Sequence, residues 1–114
     1  METIQKDVVI IGAGPAGSVT SRELALRGYS VLLIEKRPVI GIPVRCGEAT
    51  GKRSRLRDFG PINEDMIETD IHGVVLHAQG GVSIRADIQD VGLMVDRTKF
   101  DPWYADLAQE AGVE

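Results

Sequence analysis

The stretch DVVIIGAGPAGSV, residues 7–19, decides the fold. Residues 7–11 are a short, continuous, β-branched apolar run, the pattern of a buried parallel strand. Three glycines follow at G-x-G-x-x-G spacing: Gly12, Gly14 and Gly17. Pro15 suits the first helical position, where its missing N–H costs nothing. Ala16, Thr20 and Leu24 recur every four residues with Val19 beside them, so a helix is expected from Pro15 to Arg27, ended by Gly28. Residues 30–34, SVLLI, predict a second buried strand. Strand, glycine turn, helix and strand within about 30 residues make a βαβ unit, here residues 7–35.

Each glycine has a physical role in such a unit. Gly12 permits a tight turn, Gly14 lets a pyrophosphate approach a backbone without a Cβ, and Gly17 lets the helix lie close to the strand. The N–H groups at the helix start, those of Ala16 and Gly17 after Pro15, and the helix dipole favour an anion. Glu35 ends the second strand, where an acid accepts hydrogen bonds from ribose hydroxyls and repels a 2′-phosphate. The glycines alone fit an ordinary turn as well as a ligand site. With strand, helix, Pro15 and Glu35 in place, dinucleotide binding is the stronger reading. FAD and NAD share the pattern. A site near the N-terminus, followed by a glycine- and arginine-bearing loop, leans toward FAD.

The 114 residues are enough for one small domain, and 43% hydrophobic content makes a packed core feasible. A net charge of -4, from 13 basic and 17 acidic residues, gives no reason to expect a nucleic-acid partner. The single cysteine, Cys46, allows no internal disulfide and no cysteine cluster for a metal. The polar start METIQKD predicts no signal peptide, and no apolar run approaches the roughly 20 residues of a membrane span. The expected location is cytoplasmic, with peripheral contact at a membrane left open.

Beyond the βαβ unit, residues 36–51 carry Pro38, Gly41, Pro43, Gly47 and Gly51 and read as loop. KRSRLR, 52–57, suggests a short helix; 58–70 are acidic and irregular. Residues 73–77 and 82–86 predict a hairpin turned at Gly80-Gly81, and 91–95 a further strand, so 71–95 form an antiparallel insertion. Phe100, Tyr104, Leu107 and Ala111 place a helix at about 98–111, ended by Gly112. Its start is ambiguous. Asp101 can cap it with Pro102 at the first helical position, or it begins near Thr98 and Pro102 costs one early hydrogen bond. An alternating α/β fold would place a parallel strand next, so the chain is expected to be the N-terminal portion of an FAD-binding domain, with any substrate domain outside it.

At EKRPVIGIPVRCGEATG, residues 35–51, the sequence resembles the geranylgeranyl reductase family of flavoproteins, notably the archaeal enzymes that saturate isoprenoid chains of membrane lipids. The resemblance runs from DVVIIGAGPAG through the P-V-R-C-G-E segment and resumes at VDRTKFDPWYADLAQEAG, residues 95–112; residues 52–94 match only loosely. It implies a p-hydroxybenzoate-hydroxylase-like fold. Gly12, Gly14, Gly17 and Glu35 would hold the ADP half of FAD, with Lys36 and Arg37 along the cofactor. Arg45, Cys46, Gly47 and Glu48 would form a loop near the flavin, and Arg97 would lie near FAD. The implied reaction is hydride transfer from reduced flavin to an isolated alkene of a geranylgeranyl lipid, followed by protonation. Family members are several times longer, so this chain alone is not expected to reduce an alkene.

Individual residues carry competing readings. Cys46 is either a small buried hydrophobe or a residue near the flavin, and nothing marks it as a nucleophile. Glu48 is a proton donor only if burial raises its pKa; otherwise it is a solvated acid. Arg45, Lys52, Arg53, Arg55 and Arg57 form either a solvated face or a contact for lipid phosphate. His72 and His77, five apart on or beside one strand, fall on opposite faces and do not suggest a shared metal. Trp103 and Tyr104 read as packing residues, Met94 as core. Three functions follow: the reductase reading; another flavoprotein of the same fold, such as a monooxygenase, halogenase or flavoprotein–quinone dehydrogenase; and a free-standing nucleotide-binding module without chemistry.

Overall fold

The computed structural model describes residues 3–114; the first two residues of the METIQKD segment lie outside them. The chain forms two compact units. One comprises the chain up to Arg45 together with Arg97–Glu114, the other Cys46–Asp96.

In the first unit, β1 (Val8–Ile11) and β2 (Val31–Ile34) pair in parallel, from Val8 opposite Val31 to Ile11 opposite Ile34. Helix α1 (Pro15–Leu26) connects them, with Gly14 as N-cap, Pro15 at its start and Gly28 beyond its end at φ +91°. Asp7 fastens the base of the pair. Its carboxylate accepts from the Ser30 N–H at 2.8 Å and the Ser30 hydroxyl at 2.7 Å. Helix α3 (Arg97–Glu110) returns over the same sheet. Val31, Ala108 and Val113 form the core, with Val8, Ile10, Leu24, Ala25 and Leu33 packed on it.

Both strands were expected to be buried on both faces. Instead α1 and α3 share one face, which takes Val8 and Ile10. Val9 and Ile11 alternate to the other, where Ile11 is 85% exposed. Strand alternation makes this unavoidable when helices cover one side alone. The expected helix face is also corrected: Ala16 and Thr20 are exposed, and the buried positions of α1 are Ser18 and Ser21. Both serines satisfy their hydroxyls within the segment, on Ala13 O at 3.2 Å and Gly17 O at 2.7 Å. Small side chains let the helix approach its neighbours closely.

The chain was expected to carry no parallel strand after the last helix. Its last residue nonetheless takes a ladder position. Glu114 N–H donates to Val31 O at 3.1 Å, and Leu33 N–H donates to Glu114 O at 2.7 Å. The carbonyls of Ser30 and Ile34 accept from Val8 of β1 and from Gly12 just beyond it, so Glu114 occupies the opposite edge of β2. This is the hydrogen-bond pattern of a parallel neighbour. The Lys6 ammonium pairs with the Glu114 carboxylate.

Helix α3 begins at Arg97 and keeps Pro102 inside it, so Asp101 is not its cap. Tyr104 is 1% exposed and meets Phe100 edge-on, with ring centroids 4.9 Å apart. Its hydroxyl is the only buried side-chain polar atom without a hydrogen-bond partner among the described residues, and burial pushes its phenol pKa up. An unpaired buried hydroxyl costs about 1–3 kcal/mol. Tyr104→Phe is therefore expected to raise stability by about 1 kcal/mol, read as a higher urea midpoint; a lower midpoint would show that the hydroxyl has a partner in solution.

The second unit is an antiparallel sheet in the order β3–β5–β4. Strand β3 (Ala49–Thr50) pairs with Met94 and Leu93, so the expected loop 36–51 ends in a short strand. Helix α2 (Arg53–Arg57) occupies the KRSRLR segment. A 3-10 turn at Glu64–Met66 replaces part of the irregular acidic stretch. Strand β4 (Ile67–His77) starts earlier than the expected 73–77. Strand β5 (Ser83–Val95) is continuous where two strands were expected. Register shifts between Ile67 and Thr69 and between Ile71 and Gly73, with Asp90 at φ +53°, break the alternation from which these limits were read. Gly80 and Gly81 turn the hairpin at φ +92° and +82°. Met66, Leu93 and Val95 are buried, while Met94 is only half-buried.

Candidate dinucleotide site

The glycine turn is built by two strand ends and one carboxylate. Gly12 adopts φ +103°, and its N–H donates to Ile34 O at 2.7 Å. Ala13 N–H donates to Glu35 Oε2 at 2.8 Å, and Arg37 N–H to Glu35 Oε1 at 2.9 Å. Glu35 thus ties the turn after β1 to the loop after β2. These two N–H groups, Ala13 first, hold its carboxyl below the ordinary carboxylate range.

The other two glycines differ sharply in surroundings. A Cβ on Gly17 would lie 1.9 Å from Gly12 O. A Cβ on Gly14 would meet nothing within 4 Å. Gly17 is required by packing of helix on strand. Gly14 keeps open space beside the start of α1, where helix N–H groups and dipole favour an anion. Pro15 is half-buried and Ala16 exposed at that end.

Asp7 and Glu35 clamp opposite ends of the strand pair, and both titrate low. Asp7 is held below its ordinary range by the Ser30 hydroxyl and then the Ser30 N–H. In the window below about pH 4 the unfolded chain binds more protons than the folded one. The stability they contribute is therefore complete above that range and lost as pH falls through it. Urea midpoints are expected to drop between about pH 6 and pH 3, and to drop less in an Asp7→Asn, Glu35→Gln double variant. Parallel curves for the two proteins would sink this account.

Arg37, Gly41, Pro43, Val44, Arg45, Arg97 and Asp101 line a cavity of about 220 Å³. Three arginines and one aspartate are among its lining residues. Asp101 is 5% exposed and accepts from Arg97 Nε and, at 2.8 Å, from Arg97 Nη2. Gly41 lies at φ +85° with its backbone against this pair: an added Cβ would be 2.6 Å from Arg97 O. The first unit thus brings together Gly12, Gly14, Gly17 and Glu35, and gathers Arg37, Arg45 and Arg97 around one cavity. Lys36 is exposed beside Glu35.

Cys46, Gly47 and Glu48 belong to the second unit. Cys46 is exposed, not a buried hydrophobe, and its Sγ accepts from Glu48 N–H at 3.4 Å. Glu48 adopts φ +60°, and its carbonyl accepts from Val95 N–H at 2.9 Å. The basic stretch is partly compensated: Arg53 pairs with Glu64 and Asp70, and Arg55 with Asp58. Sequence reasoning missed Asp101 as a partner of Arg97. The four-residue spacing of opposite charges on one helix was the available signal.

A parallel strand pair, a glycine turn on a helix N-terminus and an acid at the end of β2 define a Rossmann-like nucleotide-binding class. Residues 10–63 match the NAD(P)-binding Rossmann-like domain family. The chain is 39% identical to digeranylgeranylglycerophospholipid reductase 1 of Methanococcoides burtonii, over 96% of its own length and 28% of the relative's. A geranylgeranyl bacteriochlorophyll reductase-like protein from Thermoplasma acidophilum superposes with a TM-score of 0.84 at 34% identity, covering 96% of this chain and 29% of that one. A flavin-dependent brominase follows at TM-score 0.74 and 33% identity, covering 96% and 28%. The chain is similar to these geranylgeranyl reductase-type proteins along nearly all of its own length and spans under a third of theirs. Among the described residues, no helix is long and apolar enough to cross a membrane.

Proposed function

We propose that this chain is the FAD-binding part of an oxidoreductase that reduces isoprenoid double bonds in geranylgeranyl lipids. One observation carries the cofactor assignment: the open space at Gly14, beside a helix N-terminus and in the same unit as an arginine-lined cavity. The residues fit the group. Gly12, Gly14, Pro15, Ala16, Gly17 and Glu35, with Lys36 and Arg37, would hold its ADP half. Arg45, Arg97 and the Cys46-Gly47-Glu48 loop would serve the remainder. Glu35 accepts hydrogen bonds, so it suits ribose hydroxyls and disfavours a 2′-phosphate. Arg37, Arg45 and Arg97 supply charge for phosphate oxygens. When bound, FAD supplies hydride transfer to a carbon–carbon double bond. Cys46 and Glu48 are the candidates from this chain for positions near that chemistry. The lipid assignment is supported by near-full coverage of this chain at 39% identity to a relative named for a lipid substrate. Through that substrate, peripheral contact of a cytoplasmic protein with the membrane is part of the reading, and the cations of 45–57 are its candidate contact.

The first test is an absorption spectrum of the purified chain after FAD is added and unbound cofactor removed. Bands near ~450 nm are expected. If the bands are absent here and also in a longer protein containing this segment, the FAD reading falls. The similarity to the brominase supports a second reading, a different flavoprotein reaction on the same fold. Product analysis of the longer protein with a geranylgeranyl lipid under reducing conditions separates the two: saturated chains support the reductase, and unchanged chains sink it.

A further inference from the structure

Arg97 is the first residue of α3. A guanidinium there sits against the positive end of the helix dipole. It also shares a cavity with Arg37 and Arg45, so repulsion drives it outward. Yet its side chain is only 23% exposed, and that of Asp101 is 7% exposed. A two-point fork on one helix face ties Arg97 to Asp101. The Asp101 carboxylate accepts from both Nε and Nη2. Such a fork fixes the guanidinium plane as well as its position, and thereby sets where Nη1 lies. The backbone of Gly41, which tolerates no Cβ beside Arg97 O and Asp101 Cβ, seats the cavity loop against the same pair.

We infer that Asp101 is a positioning residue, which holds the Arg97 guanidinium for a phosphate-bearing ligand in the cavity formed with Arg37 and Arg45. The inference rests on the dinucleotide reading above, and its sign separates it from simple electrostatics. Removing a carboxylate from beside a cationic cavity strengthens attraction for an anion. If Asp101 acts only through its charge, Asp101→Asn therefore binds phosphate more tightly. If Asp101 positions Arg97, the same variant binds more weakly.

The experiment uses the isotopically labelled 114-residue chain and inorganic pyrophosphate as the probe, followed through the Arg97 Nε–H signal and the backbone amides of Gly41 and Val44. Backbone spectra establish that each variant is folded, and Asp101→Glu serves as a second, charge-conserving displacement of the fork. Asp101→Asn is expected to weaken pyrophosphate binding about tenfold, the size of a typical coupling between contacting residues. Asp101→Glu is expected to weaken it as well. In an Arg97→Gln background, Asp101→Asn is expected to add nothing. Unchanged or tighter binding in Asp101→Asn, an equal loss with and without Arg97, or no binding by the parent chain would each overturn the inference. Retention of FAD is measured alongside. If the pyrophosphate pattern holds and FAD is not retained, Asp101 keeps its role and the cofactor assignment fails by itself.

Discussion

Gly17→Ala is expected to destabilise the chain by about 3 kcal/mol or more, the upper end of what overpacking costs. Two opposing effects meet at this position. Alanine in a helix is ordinarily favoured over glycine by roughly 0.5–1 kcal/mol. Here its Cβ would lie 1.9 Å from Gly12 O and 3.4 Å from Ile10 Cγ2. The first contact is with backbone, which cannot swing aside as a side chain can. Helix α1 must lift off β1, and the Gly12 turn must move with it. Because a small domain retains only about 5–15 kcal/mol in total, the loss removes a large share of the margin. Urea unfolding followed by circular dichroism reads it directly. An unchanged or raised midpoint would mean that α1 and β1 are less closely packed than the 1.9 Å contact requires.

Gly14→Val is expected to do the opposite: to leave the fold intact and abolish cofactor uptake. Gly14 has φ -74° and ψ 178°, a conformation any residue adopts, and the space for its Cβ is open. The loss of a glycine N-cap costs within about 1 kcal/mol. A branched side chain there fills the approach to the first N–H groups of α1. Flavin retained after removal of free FAD should fall at least about tenfold, equivalent to 1.4 kcal/mol of binding. The wild-type chain or its longer parent sets the reference. Equal flavin in variant and reference would place the cofactor elsewhere. The pair of substitutions separates a glycine needed for packing from a glycine needed for a ligand, although the sequence spacing presents them alike.

The βαβ unit was legible because its determinants are local. Gly12, Pro15, Gly28 and Glu35 each encode a conformation or an end within a few residues of where it is used. Ser18 and Ser21 were not legible as the buried face of α1, because hydropathy ranks serine as polar. Their burial follows from close approach and from hydroxyls satisfied on the segment's own backbone. The limits of β4 and β5 were misread for a related reason. Period-two alternation is the signal, and a bulge between Ile71 and Gly73 with Asp90 at φ +53° disrupts it without ending the strands. The exposure of Val9 and Ile11 depends on which side of the sheet the helices take, a tertiary fact that no short window contains. The start of α3 read two ways, at an Asp101 cap or near Thr98, because Asp-Pro is a common helix start; the service of Asp101 to Arg97 depends on the helix already existing.

The seat of Gly41 against Arg97 has a consequence for chain length. Gly41 and Arg97, both in the α/β unit, flank in sequence the segment that forms the second unit, Cys46–Asp96. For the α/β unit it is a loop closed at its base. Closure entropy grows only with the logarithm of loop length, about 0.6 kcal/mol for each doubling. Insertions and deletions in the excursion therefore weigh lightly on the nucleotide-binding unit, whereas a side chain at position 41 weighs heavily, because it opens the base. Variation in length is tolerated inside the excursion, and the single glycine that closes its base is where the α/β unit accepts no added side chain.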